Sequence, residues 1–220
     1  MEASRRVLSD LNGPWDAEIV VVAEAPGRLG AEVTGIPLYG DRTGDRFEAI
    51  LTSMNWPRSE IFITNAILCN PRDDRGNNST PSRREIRNCS SHLRRTIEQI
   101  NPLLVVAMGR IALEALSLIE NHGCDLRGHA GRIIPWFGRK LGILYHSGPR
   151  TVVHRSWSNQ LSDAAALSNS ARSFLDGKRY SCGRSANGPR VLEFSRRLSE
   201  RAQNRFSVAE SESSSLDQVR

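Results

Sequence analysis

Glu18-Ile19-Val20-Val21-Val22-Ala23-Glu24-Ala25-Pro26-Gly27 decides the fold of this 220-residue chain. Its first six residues form an almost unbroken apolar run, and Pro26 and Gly27 then break it. A run that short and that apolar is read as a strand buried on both faces, the kind found in parallel sheets. Two further runs read the same way, residues 61–68 and residues 103–107, and a last strand is expected over 142–146. Between them lie helical patterns. Phe47, Ile50, Leu51 and Met54 recur at helical spacing and predict a helix over 44–54. Thr80-Pro81 is expected to open a second helix, with proline in its first turn and a capping box from Ser82 to Glu85. Ile86, Cys89, Leu93 and Ile97 would line its inner face. A helix is expected from Gly109 to about Ile119, and a closing one over 158–175. Residues 121–141 read as loop, with a short strand near Ile133.

Strand and helix alternate, so the expected class is α/β: a three-layer α/β/α sandwich with a central, mostly parallel sheet. Ligands in such sheets gather at the carboxyl ends of strands. Glu24, Asn65 and His146, distant in sequence, all fall at or near predicted strand ends. Residues 1–175 are read as one domain. From 176 to 220 Ser, Arg, Gly and Asn dominate, and this Ser/Arg-rich tail is expected to be disordered.

The net charge is +6, from 30 basic and 24 acidic residues, and only Lys140 and Lys178 among the basic ones are lysines. Arginine suits phosphate binding, but an arginine-biased composition alone explains it equally well. Residues 1–170 carry 20 basic and 18 acidic groups, and residues 171–220 carry 10 and 6. The core is therefore only weakly marked for polyanion binding. No apolar run approaches the roughly 20 residues of a membrane span. Arg5 and Arg6 are not followed by a secretory core. Four scattered cysteines do not resemble an extracellular disulfide framework. A cytoplasmic monomer is expected, acting at the nucleoid if it binds DNA.

Five segments stand out in order: Ala23-Glu24-Ala25-Pro26-Gly27, Gly35-Ile36-Pro37-Leu38-Tyr39-Gly40, Ile63-Thr64-Asn65-Ala66-Ile67-Leu68-Cys69-Asn70-Pro71, Glu85-Ile86-Arg87-Asn88-Cys89 and Leu144-Tyr145-His146-Ser147. Together they resemble the uracil-DNA glycosylases, most closely the iron–sulfur, thermostable-type branch. The resemblance implies hydrolysis of the N-glycosidic bond of uracil in DNA, with an abasic site as product. It implies that Glu24 orients water or holds its loop, Asn65 reads the base, and His146 stabilises the departing base anion. Ala25, Gly27, Leu38 and Tyr39 would contact the base. Pro149 to Val153 would fill the gap left by the flipped nucleotide, and Arg150 and Arg155 would contact phosphate. His154 is a second choice for the histidine.

Several positions depart from the family. Ala23 stands where glycine is usual, and Leu38 stands where a phenylalanine stacks on uracil. Loss of that stacking is worth about 1–3 kcal/mol. His146-Ser147-Gly148-Pro149-Arg150 replaces His-Pro-Ser. The changes at Leu38 keep open a glycosylase for another deaminated base, hypoxanthine or xanthine, and a DNA-binding homologue without catalysis. An unrelated nucleotide-binding domain is disfavoured, since no Walker loop or Gly-x-Gly-x-x-Gly follows the first strand.

Cys69 and Cys89 match two of the four cysteines that hold a 4Fe-4S cluster in the resembling branch. The other two form a Cys-x-x-Cys that would lie upstream of residue 1. The cluster is expected if that upstream pair exists, and no cofactor otherwise. Cys124 and Cys182 do not fit the pattern. The basic stretch Arg127-Gly128-His129-Ala130-Gly131-Arg132, with Arg139-Lys140, is read either as a DNA-facing surface or as a solvated loop.

Overall fold

A computed structural model of the chain describes residues 6–181, with side chains through 175. A five-stranded sheet forms its centre. The strands are β1 (Ile19–Ala23), β2 (Ile61–Asn65), β3 (Leu104–Met108), β4 (Ile133–Trp136) and β5 (Arg139–Leu144), in spatial order β2-β1-β3-β5-β4. All neighbours pair in parallel except β4 and β5. The helices are α1 (Ala31–Thr34), α2 (Arg42–Met54), α3 (Arg83–Ile100), α4 (Arg110–Ser117), α5 (Leu126–His129) and α6 (Trp157–Ser181).

The strands are apolar throughout because both of their faces are covered. Val20 and Val22 of β1 pack with Phe62, Val105 and Ile143 under α3 and α4, which contribute Leu93, Ile97, Ala112 and Leu116. Ile19, Val21 and Ala23 point the other way. They pack with Ile63, Val106 and Leu144 against Phe47 and Leu51 of α2 and Ala164 and Leu167 of α6. Successive side chains of a strand face opposite sides, so one strand feeds both cores, and the three layers follow. Gly142 lets α6 press on β5: a Cβ there would lie 2.8 Å from Leu167 Cδ1.

The expected class is what the structure has, and several boundaries differ. β2 ends at Asn65, three residues early, because the chain turns away after it. Even so, Ala66 and Ile67 still donate to the carbonyls of Ala23 and Glu24. The α3 helix begins after Pro81, not on it. Ser82 is the N-cap, and its capping box with Glu85 forms as expected. The last strand starts at Arg139 and stops at Leu144, because it forms a hairpin with β4 through Phe137 and Gly138, both at positive φ (47° and 67°). Such two-residue turns match the twist of paired strands, but phenylalanine is an unusual occupant. α6 runs to Ser181, six residues past the expected domain end, so residues 176–181 are helical where disorder was expected, and the rest of that expectation, 182–220, lies outside the described residues. No described helix is long and apolar enough to cross a membrane.

Candidate active site

Chain order and strand order diverge at β1. From β1 the chain passes to β2 on one side, then crosses to β3 on the other. A crevice opens at the carboxyl ends of strands where connections diverge in this way. Glu24 follows β1 directly, Asn65 ends β2, Gly109 follows β3, and His146 lies two residues beyond β5.

One pocket of about 150 Å³ occupies this crevice. Sites for drug-sized ligands run to roughly 300–1,000 Å³, so this one is scaled to a single small ring. Glu24, Ala25, Gly27, Leu38, Tyr39 and His146, six of the expected contacts, all line it. Asn65 does not line it. It is 2% exposed, in register with Ala23, and its Nδ2 has no hydrogen-bond partner. A buried amide N–H left unpaired is costly, and this one sits at the carboxyl end of β2.

His146 is shaped by its neighbours. Gly148 N–H donates to His146 Nδ1 at 2.9 Å. Nδ1 is therefore the acceptor, and the ring proton resides on Nε2. Burial holds the imidazole pKa below its usual value, and Asp41 opposes this more weakly. The ring is thus a neutral donor at pH 7. Gly109, at φ 94°, gives it room: a Cβ there would lie 3.0 Å from His146 Cβ. Glu24 is pushed the other way. Burial raises its pKa above the usual carboxylate value, and Arg110 offsets part of that.

The other lining residues were not anticipated. Asp41 caps α2 by accepting from Gly44 N at 2.9 Å. Its second oxygen lies where side chains at Gly27 or Gly30 would stand, at 3.1 and 2.7 Å from their ideal Cβ positions. Asn78 Oδ1 accepts from Arg28 N and from Asn70 Nδ2, both at 3.0 Å. That joins the loop after β1 to the loop after β2. An aspartate before a helical run is a sequence-readable cap. Nothing local marks Asn78 as part of a pocket.

Pro149 and Arg150 lie on a 3₁₀ turn, Pro149–Val153, outside the pocket. Arg150 is exposed. So are Val152 (45%) and Val153 (79%), apolar side chains standing in solvent. Arg155 is paired within the protein: its Nε and Nη2 donate to the two oxygens of Asp163 at 2.9 and 2.5 Å, and its side chain stays 34% exposed. His154 is exposed and apart from the pocket. Arg139, in the basic stretch, donates to the carbonyls of Ile97 and Phe137 and so ties β5 to the end of α3.

Cys69 and Cys89 are free and half-buried, as is Cys124. Cys89 and Cys124 pack against the apolar core under α3 and α4. Among the described residues no group of three or more His, Cys, Asp or Glu side chains is arranged to hold a metal ion. A cluster needs four thiolates, and the described residues do not supply that set.

A ring-sized pocket thus lies at the switch point of a parallel sheet, with a buried carboxylate and a neutral histidine donor in its lining. The family model of the uracil DNA glycosylase superfamily matches residues 11–168. The chain is 30% identical over 146 residues to a type-4 uracil-DNA glycosylase of Archaeoglobus fulgidus, covering 65% of this chain and 70% of that protein. It is 31% identical over 155 residues to a type-5 uracil-DNA glycosylase of Pyrobaculum aerophilum, covering 63% and 66%. A type-4 enzyme of Saccharolobus solfataricus is 35% identical over 139 residues, covering 61% and 62%. The chain thus spans about two thirds of the length of these curated relatives. It belongs to the uracil DNA glycosylase superfamily, and its type-4 relatives place it with that branch.

Proposed function

We propose that this chain is a monofunctional glycosylase of DNA base-excision repair that hydrolyses the N-glycosidic bond of uracil in DNA and leaves an abasic site. The observation that carries the reading is the convergence of Glu24, Leu38 and the Nε2–H tautomer of His146 on one base-sized pocket. A nucleotide must leave the duplex to reach it. The exposed Val152 and Val153 are placed on the turn after His146, suited to fill the space left in the stack. Asn65 is buried and does not line the pocket, so it reads the base only if uracil reaches it; its Nδ2, unpaired in the protein, would then donate to O4 and its Oδ1 accept from N3–H. Cytosine offers a donor where uracil offers O4, so two donors would face each other.

As the bond from C1′ to the base breaks, its electron pair moves onto the base. His146 Nε2–H donates to the oxygen that gains charge. Water attacks C1′, and Glu24, whose elevated pKa makes it a better base than an exposed carboxylate, takes the proton. Leu38 covers the ring face. No lysine lines the pocket. An amine nucleophile is what a glycosylase that also cleaves the strand through a Schiff base requires, so water as the nucleophile fits. No step is assigned to an iron–sulfur cluster. Cys69 and Cys89 would be two of its four ligands if two more thiolates join them.

A panel of duplexes carrying uracil, hypoxanthine or xanthine tests the lesion. Uracil is expected to be released fastest. Release confined to hypoxanthine or xanthine would transfer the assignment to those bases, the reading that the aliphatic Leu38 favours.

Glu24 supplies a pH prediction. Its folded pKa is raised, so the native state binds its proton more tightly than the unfolded chain does. Native stability therefore falls as pH rises through that range. The single-turnover excision rate should fall on the acid side at a pH above 4.5, the ordinary value for glutamate. Glu24→Gln should abolish that limb, slow excision and raise the melting temperature at pH 7. A faster or unstabilised variant would remove Glu24 from the role of base.

The arginines supply another. Arg150→Ala should reduce the slope of log affinity for DNA against log salt by about 1. Arg155→Ala should leave the slope unchanged and lower the melting temperature, since Asp163 loses its partner. The reverse pattern would return the phosphate contact to Arg155.

A further inference from the structure

Arg58 lies on the 3₁₀ turn Arg58–Glu60 that leads into β2, and the chemistry above makes no use of it. Its side chain is 11% exposed. A guanidinium that deep is tolerated only when its donors are met. Nε donates to Glu48 Oε1 at 2.5 Å, Nη1 to the Pro37 carbonyl at 3.1 Å, and Nη2 to the Leu38 carbonyl at 2.8 Å. Only one of the three acceptors is an acid. The other two are consecutive carbonyls of the loop that carries Leu38 into the pocket.

That loop needs holding. Leu38 has φ 49°, in the left-handed region that leucine enters only against steric resistance. Strain of this kind persists where surroundings over-determine it, and it concentrates at binding sites. A second constraint acts from the other side. The backbone of Gly44 in α2 comes so close that a Cβ there would lie 2.8 Å from the Leu38 oxygen and 2.9 Å from Tyr39 Cα. The Leu38–Tyr39 peptide is therefore held between a guanidinium and a glycine. Leu38 is at once a core residue and a pocket wall, so a small rotation of this peptide would move the wall.

We infer that Arg58 is a positioning residue for base recognition: its grip on the Pro37 and Leu38 carbonyls keeps Leu38 left-handed and sets the surface that covers the flipped base. The inference rests on the glycosylase reading above. Lysine in its place keeps the charge but not the fork that reaches both carbonyls and Glu48 together.

The test uses the full chain with Arg58→Lys, Arg58→Met and Gly44→Ala, each assayed well below its melting temperature. Single-turnover excision of uracil, inhibition by free uracil, and affinity for uracil-free DNA are measured. Arg58→Lys is expected to slow excision about 10- to 100-fold and to weaken inhibition by free uracil. Its affinity for uracil-free DNA should stay within about twofold of wild type, and Arg58→Met should be slower still. Gly44→Ala, which disturbs the same peptide without touching a charge, should show the same split. If Arg58→Met does not fold, the other two decide. A folded Arg58→Lys with wild-type rate and wild-type inhibition by uracil would overturn the inference while leaving the glycosylase intact. A wild-type chain that releases no base would overturn the glycosylase reading and this inference with it.

Discussion

His146→Ala is expected to slow uracil release by roughly 10²–10³-fold, the usual effect of removing one preorganised donor to developing charge. The ring is poised for this by two features together. Gly148 N–H occupies Nδ1 and so leaves the proton on Nε2, and burial keeps the imidazole neutral. The bond to the base strengthens as negative charge accumulates there, so the loss should fall on the chemical step and spare DNA binding. Single-turnover rates beside binding affinity measure it. Equal losses in rate and affinity would place His146 in DNA binding instead. A stability effect follows from the same shift. The folded pKa is depressed, so the unfolded chain binds the proton more readily. The stability this group contributes is present above its ordinary value of 6.5 and is lost as pH falls through the depressed folded value. His146→Ala should flatten that part of the acid-denaturation profile.

Asn65→Ala is the second large effect. Uracil O4 and N3–H would both lose their partner in a dry site. At roughly 1–3 kcal/mol for each unpaired group, excision should fall by about two to four orders of magnitude. The melting temperature should move the other way or not at all, because the variant removes a buried Nδ2 that has no partner in the protein. Slower excision with unchanged or higher stability is the signature of a reader. A destabilised variant that still excised uracil would make Asn65 a strand-end residue only.

The three-layer fold was legible because β1, β2 and β3 are short apolar runs that only a doubly covered sheet accommodates. The Ser82–Glu85 capping box was legible because it is local chemistry. The β4–β5 hairpin was half-seen, since Phe137-Gly138 does not look like a two-residue turn although both residues adopt positive φ. Of the three strand-end residues, Glu24 and His146 meet in the pocket because the sheet gathers strand ends, while Asn65 is buried and does not line it. What escaped was contact between elements. The pairing of Arg155 with Asp163, eight residues on, has no signal in the sequence. The contribution of Asp41 was hidden because its proximity to Gly27 and Gly30 depends on how two loops meet. The grip of Arg58 on the Leu38 loop joins residues 20 apart through geometry that has no pattern in the sequence.

Glu24, Asn65 and His146 are proposed to act on one base. Release of free uracil from a uracil-containing oligonucleotide, with excess enzyme, compares the wild-type chain with the Asn65→Ala plus His146→Ala double variant. Wild-type release of uracil with an intact sugar-phosphate backbone, abolished in a double variant that still folds and binds DNA, is the predicted result. Release by the double variant at the wild-type rate would contradict it.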